Sequence, residues 1–250
     1  MTSYIFLSPH LDDIVLSCGA IVDHLTSNGH QIEIWTFFAG DPPKDQLSSF
    51  ALSLHQRWAL PNNPVLTRRK EDIIACCLLN ATPRHFDIPD CIYRTNGNAN
   101  PIITKEEDLY QPIPSHQVRW VEHISQLLGN LPAEVILVSP LSIGNHIDHR
   151  IVRAAVDRLP HKNILFYKDY PYHVKENVDR NSGQFAVLKP IHYNISQANI
   201  KHWIEAIKCH KSQISTFWKD EEQLTSEIRN YAKAGGGKSL YLLEQTASFQ

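Results

Sequence analysis

Short apolar runs rich in β-branched and aromatic residues alternate along this chain with segments whose apolar positions recur every three or four residues. The runs predict strands over Tyr4–Ser8, Gln31–Phe38, Glu134–Ser139, Asn163–Tyr167 and Phe185–His192, with a shorter one at His85–Ile88. The helical periodicity predicts Ile14–Ser27 with Gly29 as its stop, then Ser48–Trp58, Thr67–Asn80, Gln117–Leu128 and Asp148–Leu159. Two further helices, near Ser196–Thr216 and Glu221–Ala232, follow the last strand. The segment Asp90–Ser115 carries Pro and Asn and is too long for a simple connector, so it is expected to cover something. Strand–helix alternation of this kind predicts an α/β fold: a mostly parallel β-sheet flanked by helices on both faces. With no repeat and no low-complexity linker, residues 1–250 are expected to form a single domain. In such sheets ligands bind outside the carboxyl ends of the strands, so motifs at strand-to-helix turns carry most weight.

Composition narrows the function classes. The chain has 250 residues, 42% of them hydrophobic, enough for a sizeable core. Lys and Arg (24) nearly balance Asp and Glu (26), which gives no electrostatic reason to expect nucleic acid or an acidic membrane surface as partner. No apolar run has the length of a membrane span, and the residues after Met1 lack the basic and long apolar regions of a signal peptide. The five cysteines include the adjacent Cys76 and Cys77 but no C-x-x-C spacing, as expected of free thiols in a reducing cytoplasm. What stands out is 14 histidines.

Two groups of them fall at strand ends. Pro9-His10-Leu11-Asp12-Asp13 follows the first strand and opens a helix. One Asp there is accounted for as an N-cap. The neighbouring histidine is not, and adjacent carboxylates repel unless a cation or shared proton offsets the charge. A His and an Asp at this spacing supply two ligands to a divalent metal and leave one carboxylate over. Gly144-Asn145-His146-Ile147-Asp148-His149-Arg150 follows the strand ending at Ser139-Pro140. Asp148 alone reads as a helix cap, but imidazole is the commonest metal ligand and a nearby Asp can orient it. Spacing does not tell His146 from His149 as the ligand.

These two elements, with Leu16-Ser17-Cys18-Gly19 after the first, resemble the paired motifs of the PIG-L/LmbE-like zinc-dependent N-acetylglucosaminyl de-N-acetylases. Arg68-Arg69-Lys70-Glu71-Asp72, Ile88-Pro89-Asp90 and Lys208-Cys209-His210-Lys211-Ser212-Gln213 resemble weaker family elements, so the likeness covers most of the chain. The first motif departs from the usual His-Pro-Asp-Asp-Glu: Leu11 and Ile14 replace Pro and Glu, positions that are neither ligand nor base. The resemblance implies His10, Asp13 and His149 as ligands of one Zn²⁺, and Asp12 as general base. It implies that His146, oriented by Asp148, polarises the amide oxygen or protonates the leaving amine. Arg68 and Asp90 would hold substrate hydroxyls. Iron(II) suits the same His₂-carboxylate set. The expectation is a cytoplasmic hydrolase taking an N-acetyl or N-acyl group from a small amino-sugar-containing amide, with assembly into a homo-oligomer allowed by the family likeness. An amidase acting on a larger conjugate is the rival enzyme, and a non-catalytic sugar-binding protein the rival of another class.

Other patterns carry less. Ala234-Gly235-Gly236-Gly237-Lys238-Ser239 lacks the first glycine of a phosphate loop, since Ala232 stands there, and is expected to be a turn. Despite the Rossmann-like alternation, no G-x-G-x-x-G follows a strand, so no dinucleotide is expected. The aromatics of Tyr167–His173 are expected as a pocket wall.

Overall fold

Alternation along the first strand decides the layering. In β1 (Ser3–Ser8), Tyr4 and Phe6 enter one core while Ile5 and Leu7 enter another, as a side-chain period of two requires. The computed structural model describes residues 1–43, 47–160, 163–175 and 188–243. On one face of the sheet, α1 (Asp13–Ser27), α3 (Pro64–Leu78), α7 (Gln197–Cys209) and α9 (Glu221–Lys233) bury Leu16, Ala75, Trp203 and Ile228. On the other, α2 (Ser49–Arg57), α4 (Val118–Gly129) and α5 (Ile147–Val156) bury Leu54, Ile124 and Ile151. The first core closes tightly: a Cβ on Gly19 would stand 2.3 Å from Trp203 Cδ1, and the Trp203 indole N–H donates to the Val15 carbonyl at 2.7 Å.

The remaining strands are β2 (Gln31–Thr36), β3 (Thr82–His85), β4 (Ile136–Pro140), β5 (Ile164–Tyr167), β6 (Leu188–His192) and β7 (Ser239–Leu243). Their order is β3-β2-β1-β4-β5-β7-β6. From β3 to β5 neighbouring strands are parallel, and β7 runs antiparallel to β5 and β6. The chain winds outward from β1 to β3 and then returns to β4 on the other side of β1. That reversal opens a crevice outside the carboxyl ends of β1 and β4, and both histidine motifs leave the sheet there.

The α/β architecture agrees with the alternation of the sequence, and four differences in its elements have local reasons. The third strand is Thr82–His85 rather than His85–Ile88: it is the edge of the sheet, where Pro83 removes no needed ladder donor. The helix expected from Thr67 starts at Pro64, whose fixed φ and missing N–H suit a first helical position. The segment expected as one helix over Ser196–Thr216 breaks at His210 (φ −82°, ψ 58°) into α7 and α8 (Lys211–Phe217). Strand β7 was not expected; the glycine turn feeds it, with Gly235 and Gly237 at positive φ. Residues 185–187 of the strand expected over Phe185–His192 lie outside the described residues. Among the described helices none is long and apolar enough to cross a membrane, and all five cysteines are free.

Candidate active site

The β1–α1 turn is built in an uncommon conformation. Asp12 precedes α1 at φ 153°, and its side chain makes no capping hydrogen bond. A non-glycine residue there costs on the order of 1–3 kcal/mol, and such strain is held by its surroundings. Here the Asp12 N–H donates to the His10 carbonyl at 3.0 Å, and the His10 N–H donates to Asp13 Oδ2 at 2.7 Å. The cap explanation of Asp12 therefore fails: its carboxylate is free of the helix and lines the crevice with those of Asp13 and Asp90.

Across the crevice, the β4–α5 loop turns through Ser142, Gly144 and Asn145, all at positive φ. A Cβ on Gly144 would stand 2.7 Å from the Tyr172 ring, so glycine lets the loop press against α6 (Tyr172–Lys175). His146, rather than Asp148, is the N-cap residue of α5: its Nδ1 accepts from the Asp148 backbone N–H at 3.3 Å. The neutral ring therefore keeps its proton on Nε2.

The two turns bring the histidines together. Nitrogens of His10, His146 and His149 lie within 4.8 Å of one another. Asp13 Oδ2 stands 3.4 Å from His10 Nδ1 and 3.4 Å from His149 Nε2. Donors bound to one tetrahedral ion at about 2.0–2.1 Å stand about 3.4 Å from each other. His149 Nε2 is buried and, among the described residues, has no hydrogen-bond partner, while the ring spends Nδ1 on Asp169 Oδ1 at 2.7 Å. A buried lone pair beside a carboxylate and a second imidazole is what a divalent cation requires. The protonation behaviour agrees. Against burial, Asp13 and Asp169 push His149 up to about 9. Likewise against burial, Asp90, Asp13 and Asp148 raise His10. Burial alone would raise Asp13, but His149 and His10 hold it well below the usual carboxylate range. The site thus calls for positive charge between these groups, and protons supply it when nothing else does.

Two other groups have donor atoms at similar separations, Cys91–His146–Asp148 and His10–Asp90–Asp148. Both need Asp148, which is already engaged. Its carboxylate accepts from the Arg94 guanidinium, from the Cys91 backbone N–H at 3.0 Å, and meets His10 Nε2 at 3.1 Å. Against burial, Arg94 and His10 hold its carboxyl below the usual range, while burial and the nearby carboxylates push the Cys91 thiol up. A cation there would face a guanidinium.

Asp148 meets two of the histidines. Its carboxylate steers His10, turning that ring's Nδ1 toward Asp13, while only its backbone N–H serves His146. Burial, with His10 and His149 nearby, holds His146 well below the ordinary histidine range. Burial raises Asp12 to about 7, with Arg68 opposing and Asp13 reinforcing.

Arg68 and Asp90 both line the cavity, which measures about 350 Å³. Arg68 Nη2 lies 3.7 Å from Asp12 Oδ2, and the guanidinium stacks 4.7 Å from the Trp58 ring centroid. Asp90 Oδ1 caps the short 3-10 turn Cys91–Tyr93 through Ile92 N–H at 3.1 Å. The long segment after it does cover the crevice, through Glu106, Leu109 and Tyr110. The wall expected from Tyr167–His173 is present as Tyr170, Pro171 and Tyr172. The element at Lys208–Gln213 braces the site: Glu71 accepts from Ser212 N–H at 2.9 Å and Oγ at 2.6 Å, and Gln213 reaches the cavity.

Sequence reasoning missed Arg94 and Asp169. Asp169 lies two residues past the end of β5, next to β4 in the sheet, so the strand-end rule could have found it; nothing local marks Arg94. Asp169 Oδ2 also accepts from Ile143 N–H at 3.0 Å, so one carboxylate ties the β4–α5 loop to the His149 ring. Asp169→Asn is expected to weaken divalent-metal affinity by about 10–100-fold with the fold retained. Competition with a chromogenic chelator measures it, and unchanged affinity would remove Asp169 from the support of His149.

Comparison with known proteins agrees with this geometry. The chain is 30% identical over 193 residues to a 2'-N-acetylparomamine deacetylase of Niallia circulans, covering 70% of this chain and 69% of that protein. It is 25% identical to the Streptomyces fradiae protein of that name, over 67% of this chain and 57% of the relative. A solved deacetylase–teicoplanin complex superimposes with a TM-score of 0.78 at 25% identity, covering 98% and 99% of the two chains. The zinc-inhibited form of teicoplanin deacetylase Orf2, at 24% identity and a TM-score of 0.81 over 99% and 100%, shares the fold. The PIG-L family, described as GlcNAc-PI de-N-acetylase, matches residues 5–159, more than half of the chain. This chain belongs to the PIG-L family. Family membership and the converging donors make it a metal-dependent hydrolase that removes N-acetyl from an amino-sugar-like substrate. The PIG-L match ends just past α5, so it contains both histidine motifs but not Asp169.

Proposed function

We propose that this PIG-L protein is a zinc-dependent N-deacetylase in which His10, Asp13 and His149 hold the ion. Asp12 acts as general base and His146 as donor to the amide oxygen. The observation that carries the reading is Asp13 Oδ2 at 3.4 Å from both His10 Nδ1 and the buried His149 Nε2. When bound, the ion would supply Lewis acidity to water and to the acetamide carbonyl. Asp12 takes a proton from the attacking water as its oxygen bonds to the acetyl carbon. It returns that proton to the nitrogen as the C–N bond breaks, giving the amine and acetic acid, which releases its remaining proton to become acetate. His146, neutral and protonated on Nε2, donates to the carbonyl oxygen as charge builds there. Arg68 favours the anionic form of Asp12 against burial and, with Asp90, faces the sugar hydroxyls. The relatives' substrates support an acetylated amino sugar, and a soluble cytoplasmic setting fits the free thiols.

The first test is metal content followed by acetate release from N-acetylated amino sugars; metal-free protein with full activity would end the proposal. The pH dependence is specific. Since the base must be ionised and Asp12 sits near 7, the rate of the metal-loaded enzyme is expected to fall tenfold per pH unit below the apparent pKa. The cation moves that pKa down from 7, never up, because it favours the carboxylate. With His146 held low, it supplies no alkaline limb, in contrast to the bell-shaped profile that a protonated His146 would give. A limb near neutrality that vanishes in His146→Ala would reassign the acid.

A further inference from the structure

The buried donors of the site form more than one set. His146, grouped with His10 and His149, also belongs with Cys91 and Asp148, and the donor atoms of that second group likewise lie within 4.8 Å of one another. All three of its residues are buried. Thiolate, imidazole and carboxylate are ligands that zinc takes readily. Two-metal hydrolases hold their ions about 3.5–4 Å apart, and overlapping donor sets such as these are the material of a paired site. The deacetylase chemistry needs one ion, and it needs His146 unligated as donor to the amide oxygen. A second cation on Cys91, His146 and Asp148 would remove that donor.

Arg94 stands in the way of that cation. It ends the 3-10 turn that begins at Cys91, its N–H donating to the Cys91 carbonyl at 3.1 Å, so guanidinium and thiol come from one turn. The guanidinium donates to Asp148 Oδ1, while Oδ2 accepts from the Cys91 N–H at 3.0 Å and faces His10 Nε2 at 3.1 Å. Both carboxylate oxygens are thereby spent. Arg94 is buried, 4.8 Å from the Phe38 ring centroid, and is not among the residues lining the cavity, so it does not serve the substrate. Stability alone does not account for it either. Among the described residues its Nε and Nη1 are buried without hydrogen-bond partners, and a buried charge with unmet donors is costly. What Arg94 supplies is one fixed positive charge at the carboxylate that the second donor group needs.

We infer that Arg94 sets the metal stoichiometry of this protein: its guanidinium stands in for a second cation at Asp148, holding the centre to one ion and His146 free of ligation. The inference rests on the metal-dependent deacetylase reading and adds to it the residue that keeps the centre mononuclear. Without the guanidinium, Asp148 is a buried carboxylate stripped of a compensating charge. A divalent ion held by Asp148, His146 and the Cys91 thiolate restores that charge, the thiol proton passing to solvent.

The test counts bound zinc by titration against a chromogenic chelator in wild type, Arg94→Gln, Arg94→Met and Arg94→Lys, with circular dichroism to establish that each is folded. Wild type is expected to take up one ion per chain even in excess zinc. Arg94→Gln, which keeps a hydrogen-bond donor for Asp148 but no charge, and Arg94→Met are each expected to take up two. Arg94→Lys, which keeps the charge, is expected to stay at one. Adding Cys91→Ser to Arg94→Gln is expected to abolish the second ion. Cobalt(II) reads the ligand directly: a thiolate-to-metal charge-transfer band should appear in the near ultraviolet in the Gln and Met variants and not in wild type. Acetate release by those two variants should fall as zinc passes one equivalent, because the second ion takes His146. A second ion or a thiolate band in wild type would overturn the inference without recourse to any variant. So would a single ion in both Arg94→Gln and Arg94→Met, or a second ion in Arg94→Lys; each of these leaves the deacetylase standing. Wild type that binds no ion at all would remove the deacetylase reading and this inference with it.

Discussion

Asp12→Asn is expected to lower turnover by about 10²–10⁴-fold, the usual worth of a positioned general base, while metal content and fold survive. Asn matches Asp in size and tolerates positive φ better than most residues, so the strained turn at φ 153° is preserved. What is lost is the capacity to take a proton from water. A helix cap would tolerate the change, since Asn caps as well as Asp, but the Asp12 side chain makes no cap bond. Steady-state kinetics of acetate release, with metal analysis of the same sample, checks both halves. Near-normal turnover, or loss of metal from this variant, would show that the base has been misassigned.

Removing the metal is expected to abolish activity altogether, and added zinc to restore it. Asp13→Ala should reproduce the loss genetically, because it takes away the oxygen that lies 3.4 Å from both imidazoles. In that variant His10 and His149 lose the carboxylate that supports their protonation, and the stability linked to metal binding goes with it. Metal uptake should release protons, since His149 holds one up to about 9 in the free protein. Apparent affinity is therefore expected to weaken as pH falls, through competition between protons and the ion for the same donors. Proton release on titration with zinc in weak buffer measures it; uptake without release would contradict the donor set. Retained occupancy in Asp13→Ala together with loss in Asp12→Asn would exchange the roles of the two carboxylates.

Much of this was legible in the chain. Periodicity reported the parallel sheet and its two helical layers, because burial on both faces makes strands read as short continuous apolar runs, while burial of one face gives helices a period of three to four. The motifs at His10–Asp13 and His146–His149 were legible because each is compressed into one turn, where neighbouring residues must share a location. The edge strand was misjudged because Pro83 is tolerated only where no further strand pairs, a fact about sheet order that no local window holds.

By itself the sequence determined the fold class, the strand-end position of both motifs and the chemistry of their donors. Only the tertiary structure decided which donors face one another. The reversal of winding between β1 and β4 joined the two turns. Asp148, inside the second histidine motif, sends its carboxylate to His10 and Arg94, while Asp169, from the end of another strand, sets the tautomer of His149. The physical reason is that a side chain's partners are fixed by direction as well as distance along the chain. Within a helical turn, residues two apart point away from each other, and a parallel sheet brings distant strand ends side by side.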